Sequence, residues 1–147
     1  MSTLRLERGN PNIVDLPKVS SDTIRMGDIL WWSSADSAVR PASAATGVDH
    51  NARANIVGTN CVGVAMASRD SGDTGPVPVA INGDFAFPIT GTAPVTLGLV
   101  RVADNSGSPH NQTLEANSTA AHAVGRTIRA TSTEVRIRLL TRFNERT

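Results

Sequence analysis

The sequence predicts an all-β protein: a compact β-barrel or β-sandwich of short antiparallel strands with an extended N-terminal arm. Three observations carry this. The apolar residues are mostly Val, Ile, Leu and Ala, in short runs. Turn formers separate those runs, with 12 glycines and 8 prolines among 147 residues. The clearest runs, 77–89 and 135–139, alternate with a period of two, which is the strand period. The length suits one modest core, so 1–22 is read as the arm and 23–147 as a single β domain.

In the arm, Pro11 and Pro17 break any helix and favour extended backbone before them. Leu4, Leu6, Ile13, Val14 and Leu16 are apolar but widely spaced. A solvating tail has little use for five such residues, which favours an arm that orders on a neighbour.

The body opens with a strand at 29–32, apolar on both faces: Ile29 and Trp31 on one, Leu30 and Trp32 on the other. Either the strand is buried on both sides or a tryptophan lies at a contact, so Trp31 and Trp32 are candidate subunit-interface residues. Adjacent strand residues point to opposite faces and cannot form one sugar-binding platform. A turn at 33–37 leads to a returning strand at 38–41. Residues 44–55 read as a polar connection and 56–68 as a strand, with Val62, Val64 and Met66 on one face and Cys61, Gly63 and Ala65 on the other. The loop 69–78 has turn chemistry; its aspartates lack EF-hand spacing.

"VPVAINGDFAFPI" (77–89) reads as a hairpin about an Asn-Gly turn, with Phe85 and Phe87 as its largest apolar contribution. Residues 91–104 give another strand, with Val95, Leu97 and Leu99 in step, and 105–113 a long turn. The stretch 114–123 is a helical turn or an irregular strand. The end, 124–143, is strand, turn, strand: Val135, Ile137 and Leu139 face inward, Arg136 and Arg138 outward. These two arginines are candidates for electrostatic contact with an acidic partner, within a basic set that includes Arg126, Arg129, Arg142 and Arg146.

Net charge is +1, so no global field argues for nucleic acid or a membrane. The single cysteine, Cys61, is expected to be a buried structural thiol and fits a reducing compartment. No apolar run is long enough to span a bilayer. Residues 1–18 lack the apolar centre of a secretory signal, so folding in a cytoplasm is expected, and the sequons at 111–113 and 117–119 carry no weight. No HxH, HExxH, CxxC, GxGxxG, P-loop or GxSxG pattern occurs. His50, His110 and His122 stand far apart in polar stretches. The expectation is a protein that is not an enzyme, with no cofactor and no metal.

"MGDILWWSSADSAVRPAS", "CVGVAMASRDSGDTGPVPVAINGDFAFPI", "VTLGLVRVAD" and "AVGRTIRATSTEVRIRLL" follow one another in this order. The set resembles the capsid decoration, or cement, proteins of tailed bacteriophages, over about residues 24–140. Cys61 stands where that group commonly has an aromatic, and "LGLV" lacks an acidic residue after Gly98. The resemblance implies a β-barrel or β-sandwich, often trimeric, on the outside of an icosahedral head, bound to the major capsid protein and to its own copies. It implies no catalytic residues. A carbohydrate- or host-surface-binding module on the head is the alternative, motivated by the tryptophan pair and the Ser/Asn-rich loops.

Overall fold

A computed structural model describes residues 6–8 and 11–141 of the chain. The protein is mostly β, as the sequence predicts, with one short helix. Eleven strands divide between two sheets among the described residues.

The first sheet closes on itself. Strands β7 (Asp84–Thr90), β8 (Leu99–Asn105), β9 (Ser108–Asn117), β10 (Gly125–Ala130) and β11 (Glu134–Leu139) pair in the ring β7-β11-β10-β8-β9. All pairings are antiparallel except the seam, where β9 meets β7 in parallel at Ile89↔Leu114 and Thr90↔Glu115. Alternation drives the closure. Val135, Ile137 and Leu139 turn inward and meet Phe85, Phe87, Ile89, Val100, Val102 and Leu114. Strand β1 (Leu6–Arg8) adds to β7 beside the seam, with Leu6 opposite Phe85.

The second sheet has the order β2-β6-β5-β3-β4, from β2 (Ile13–Leu16), β3 (Ile29–Ser33), β4 (Ala38–Pro41), β5 (Cys61–Ala65) and β6 (Val77–Ala80). It rolls until the chain just past β2 reaches β4: Lys18 bridges Val39 in parallel, and the Val39 N–H donates to the Pro17 carbonyl at 2.8 Å. Inside the roll Ile24, Leu30, Val39, Val62, Ala65, Val77 and Val79 form a second core cluster.

Strands β3 and β5 form a wall shared by both compartments. Ile29 and Trp31 belong to the first core; Leu30 belongs to the second, and Trp32 packs against it. In β5, Cys61 and Val64 face the first core, Val62 and Ala65 the second. Gly63 lets β6 lie close beside this wall: its φ is +145°, and a Cβ there would overlap the Ala80 carbonyl of β6.

Several local expectations change. Residues 77–89 are not a hairpin, because β6 lies in the rolled sheet and β7 in the barrel. The Asn82-Gly83 link carries the chain between sheets: Asn82 Oδ1 accepts from the Asn12 N–H at 2.8 Å, and Gly83 takes φ +119°. The polar connection holds helix α1 (His50–Asn60), capped by the Asp49 carboxylate accepting from the Ala52 N–H. Only from Cys61 does the extended strand begin. Val95 and Leu97 are exposed in a loop before β8. The turn expected over 105–113 is a tight reversal at Ser106-Gly107, both with positive φ, inside the β8–β9 hairpin. Stretch 114–123 is the end of β9 followed by a 3-10 turn, Ala120–His122.

Candidate functional site

The residues singled out in the sequence fall in three places. Of the arm residues, Leu4 lies outside the described residues, as do Arg142 and Arg146, and for Leu6 only the backbone register is described. Ile13, Val14 and Leu16 are in β2, paired along β6 of the same chain from Ile13↔Ala80 to Leu16↔Val77. Leu16 packs against the second core, whereas Ile13 is exposed. The segment from 11 to 18 is thus a stave of its own sheet. Lys18 fixes its end: the side chain is buried, and Nζ donates to the carbonyls of Val19, Ser20 and Asp22, each at 2.9 Å. Arg40 of β4 then holds the Asp22 carboxylate with two hydrogen bonds, at 2.8 and 3.0 Å.

The tryptophans lie on the shared wall. Trp31 is buried and donates its indole N–H to the Pro41 carbonyl at 2.9 Å. Trp32 is half-buried on the opposite face. The face of β3 that carries Trp31 is covered by the chain itself, and the face that carries Trp32 is covered except for part of that ring.

Arg136 and Arg138 stand on the outer side of the barrel, as the alternation predicts, but differ. Arg138 makes a fork on Asp84 of β7, Nε to Oδ1 at 2.9 Å and Nη2 to Oδ2 at 3.2 Å, which raises its already high pKa. Arg136 has a buried Nε with no hydrogen-bond partner.

A fourth place was not legible in the sequence. Helix α1, β8, β9 and the 3-10 turn bring His50, Asn51, Arg101, Glu115 and His122 together. Arg101 is the hub. Its Nε donates to Glu115 Oε2 at 2.7 Å and its Nη1 to Asn51 Oδ1 at 2.7 Å. The same Nη1 lies 3.1 Å from His122 Nδ1. Arginine has donors only, so Nδ1 accepts and the ring is neutral with its hydrogen on Nε2. Burial, then the charge of Arg101 and the neighbouring His50, lowers the His122 pKa. His50 stands 3.4 Å from Glu115 and 3.8 Å from Asp104, within ion-pair reach but off hydrogen-bond geometry.

The donors and acceptors of this cluster are directed at one another, and they tie helix to barrel. Close backbone approach completes the tie: a Cβ on Gly58 of α1 would collide with the His122 carbonyl. The sequence hides the cluster because 49–60 divides between a polar connection and an apolar run, with no wide apolar stripe to mark a helix. The signal was present in Asp49 as a cap and in Ala54, Val57 and Gly58 at helical spacing, the residues α1 buries.

A further buried charge ties the two sheets. Asp28 accepts from the Gln112 side chain of β9 at 2.8 Å and from the Arg25 N–H at 2.9 Å. Burial raises its pKa, against the pull of those hydrogen bonds. Among the described residues no group of three or more His, Cys, Asp or Glu is placed to hold a metal ion, and no helix is long and apolar enough to cross a membrane.

The chain matches no protein-family model, and no curated protein matches it in sequence.

Proposed function

We propose that this protein is a structural virion component: a capsid decoration protein that binds the major shell protein on the outside of an icosahedral phage head. One observation carries the reading furthest. The segments that resemble the decoration proteins supply eight of the eleven strands among the described residues: 26–43 holds β3 and β4, 61–89 holds β5, β6 and most of β7, 95–104 holds most of β8, and 123–140 holds β10 and β11. The polar groups support the same reading. Asp28, Arg40 and Arg101 each join separate segments of the chain, which makes a rigid body suited to repeated contacts on a lattice. Several weak contacts related by symmetry then hold it by avidity. Self-association as a trimer is part of the proposal and rests on the resemblance alone.

Recombinant protein mixed with undecorated heads of the encoding phage, then sedimented, tests the reading. Saturable co-sedimentation at a fixed number of copies per head is the expected result, with density on the head exterior by electron microscopy. Protein left wholly in the supernatant over micromolar concentrations overturns it. Sedimentation equilibrium of the free protein tests the trimer separately.

A further inference from the structure

The outer side of the barrel carries two local penalties that the fold itself does not need. The first is electrostatic. Strands β10 and β11 hold four arginines and one glutamate, a net +3 in a chain whose total is +1. Arg126 lies directly opposite Arg138, and Arg129 directly opposite Arg136. Like charges at opposed positions of a ladder destabilise it. Asp84 neutralises Arg138 alone, and among the described residues no carboxylate is paired with Arg126, Arg129 or Arg136.

The second penalty is conformational. Leu97 has φ +67°, a left-handed backbone that an L-leucine adopts at a cost, yet its side chain is 65 % exposed. Hydrogen bonds hold it there: the Leu97 N–H donates to the Thr127 carbonyl at 2.7 Å, and Arg126 Nη1 donates to the Leu97 carbonyl at 2.9 Å. Val95, 75 % exposed, stands in the same loop.

The two penalties meet on one surface. Cross-strand register places Asp84, Arg138, Arg126, Leu99 and Asn117 in a single row across five strands. Leu99 also lines an open apolar groove with Val95, Pro94 and Ala116. Arginines therefore run directly into an apolar patch held in a fixed shape.

We infer that this face, centred on Arg126, Arg129 and Leu97, is the docking surface for an acidic patch of a partner protein that carries an apolar side chain beside its carboxylates. Charge complementarity selects the acid; the groove walled by Val95, Leu99 and Ala116, with the exposed Leu97 in the same loop, takes the apolar group. Single-stranded nucleic acid is disfavoured because the patch is aliphatic and offers no ring for stacking, and an aliphatic groove gives a duplex backbone nothing to contact. The inference rests on the capsid reading only in naming the shell protein as that partner.

The test uses the full chain, Arg126→Gln/Arg129→Gln and Leu97→Gly, each measured on undecorated heads and on immobilised poly-glutamate, at low and high salt. The wild type should bind both and weaken with salt. The double variant should lose about tenfold or more on both, the scale of a lost charge contact. Leu97→Gly should melt no lower than wild type, because glycine accepts the backbone, yet bind heads several-fold more weakly. Head binding by both variants equal to wild type overturns the inference and leaves the capsid reading standing. A wild type that ignores heads but is retained on poly-glutamate, and is released by the double substitution, overturns the capsid reading and supports the face. Retention on neither overturns both. Competition by a 20-base-pair duplex at lower concentration than poly-glutamate overturns the protein partner.

Discussion

The barrel and the rolled sheet close in different ways. Around the barrel every neighbouring pair of strands is joined by ladder hydrogen bonds, and its parallel seam has two registered residue pairs. The rolled sheet has four such ladders and then a single bridge, Lys18 to Val39. At that seam one backbone hydrogen bond, from the Val39 N–H to the Pro17 carbonyl, and the Arg40 fork on Asp22 stand where the barrel has strand pairing, and the Lys18 ammonium braces the turn that carries Asp22. The barrel can therefore lose one contact and remain shut, whereas the roll depends on that bond, that ion pair and the braced turn. Both compartments lean on β3 and β5, so damage to the wall should reach both and damage to a seam only one.

Deep truncation in the barrel should have the largest effect. Phe85 is fully buried, and Phe85→Ala should cost about 3–5 kcal/mol in chemical denaturation. Asp73→Ala, in an exposed loop, is the control and should stay within about 0.5 kcal/mol. Equal midpoints would show that Phe85 does not support the core.

Next comes the wall. Gly63→Ala combines a disfavoured φ with a collision against the Ala80 backbone, and should cost about 2–4 kcal/mol. Amide exchange should accelerate in both β6 and β8. Acceleration in β6 alone would mean that the compartments are independent.

The seam should respond locally. Lys18→Met keeps the aliphatic stem and removes the ammonium from three carbonyls, for about 1–3 kcal/mol. Exchange should quicken in β4, with β8 to β11 unchanged. Removing residues 1–22 deletes β2 as well, so such a chain should melt below wild type.

The smallest effect separates the helix tie from both seams. Burial, and then the charge of Arg101, keep His122 neutral, and its folded pKa lies below its ordinary value near 6.5. The unfolded chain therefore takes up the proton first, and the contribution of His122 is present above that value and lost as pH falls below it. Wild type should lose more stability between pH 7 and pH 5 than His122→Gln does. Identical pH profiles would show that the ring does not titrate against Arg101.

The fold class was legible because alternation survives wherever one strand face is buried, as at Val135, Ile137 and Leu139 and at the two-faced strand 29–32. Helix α1 was obscured because it buries only Ala54, Val57 and Gly58: its first half reads as a polar connection and its Ile56-Val57 pair as the start of the strand that follows. The segment 77–89 misled for a different reason. Its residues suit a hairpin locally, but each flanking strand finds longer partners elsewhere, β6 with β2 and β5, and β7 with β11. Leu97 defeated the pattern because period-two spacing says nothing about the sign of φ. The arginine face was half legible: alternation placed Arg136 and Arg138 outward, but only register reveals that arginines oppose arginines and that Asp84 has claimed one.

The pairing of β2 with β6 also sets an order of events during synthesis. Leu16 must find Val77, and Ile13 must find Ala80, each more than sixty residues further along the chain. Contacts of such long span form slowly, because the intervening loop must be closed first. The N-terminal segment therefore leaves the ribosome well before its partner strand exists, and Val14 and Leu16 wait in solvent meanwhile. The β3–β4 hairpin, with only a short turn to close, is available early as a template against which β5 and then β6 can add. Strand β2 is made before β6 and settles after it, so a substitution at Val14 or Leu16 burdens a late step of maturation and leaves the early hairpin unaffected.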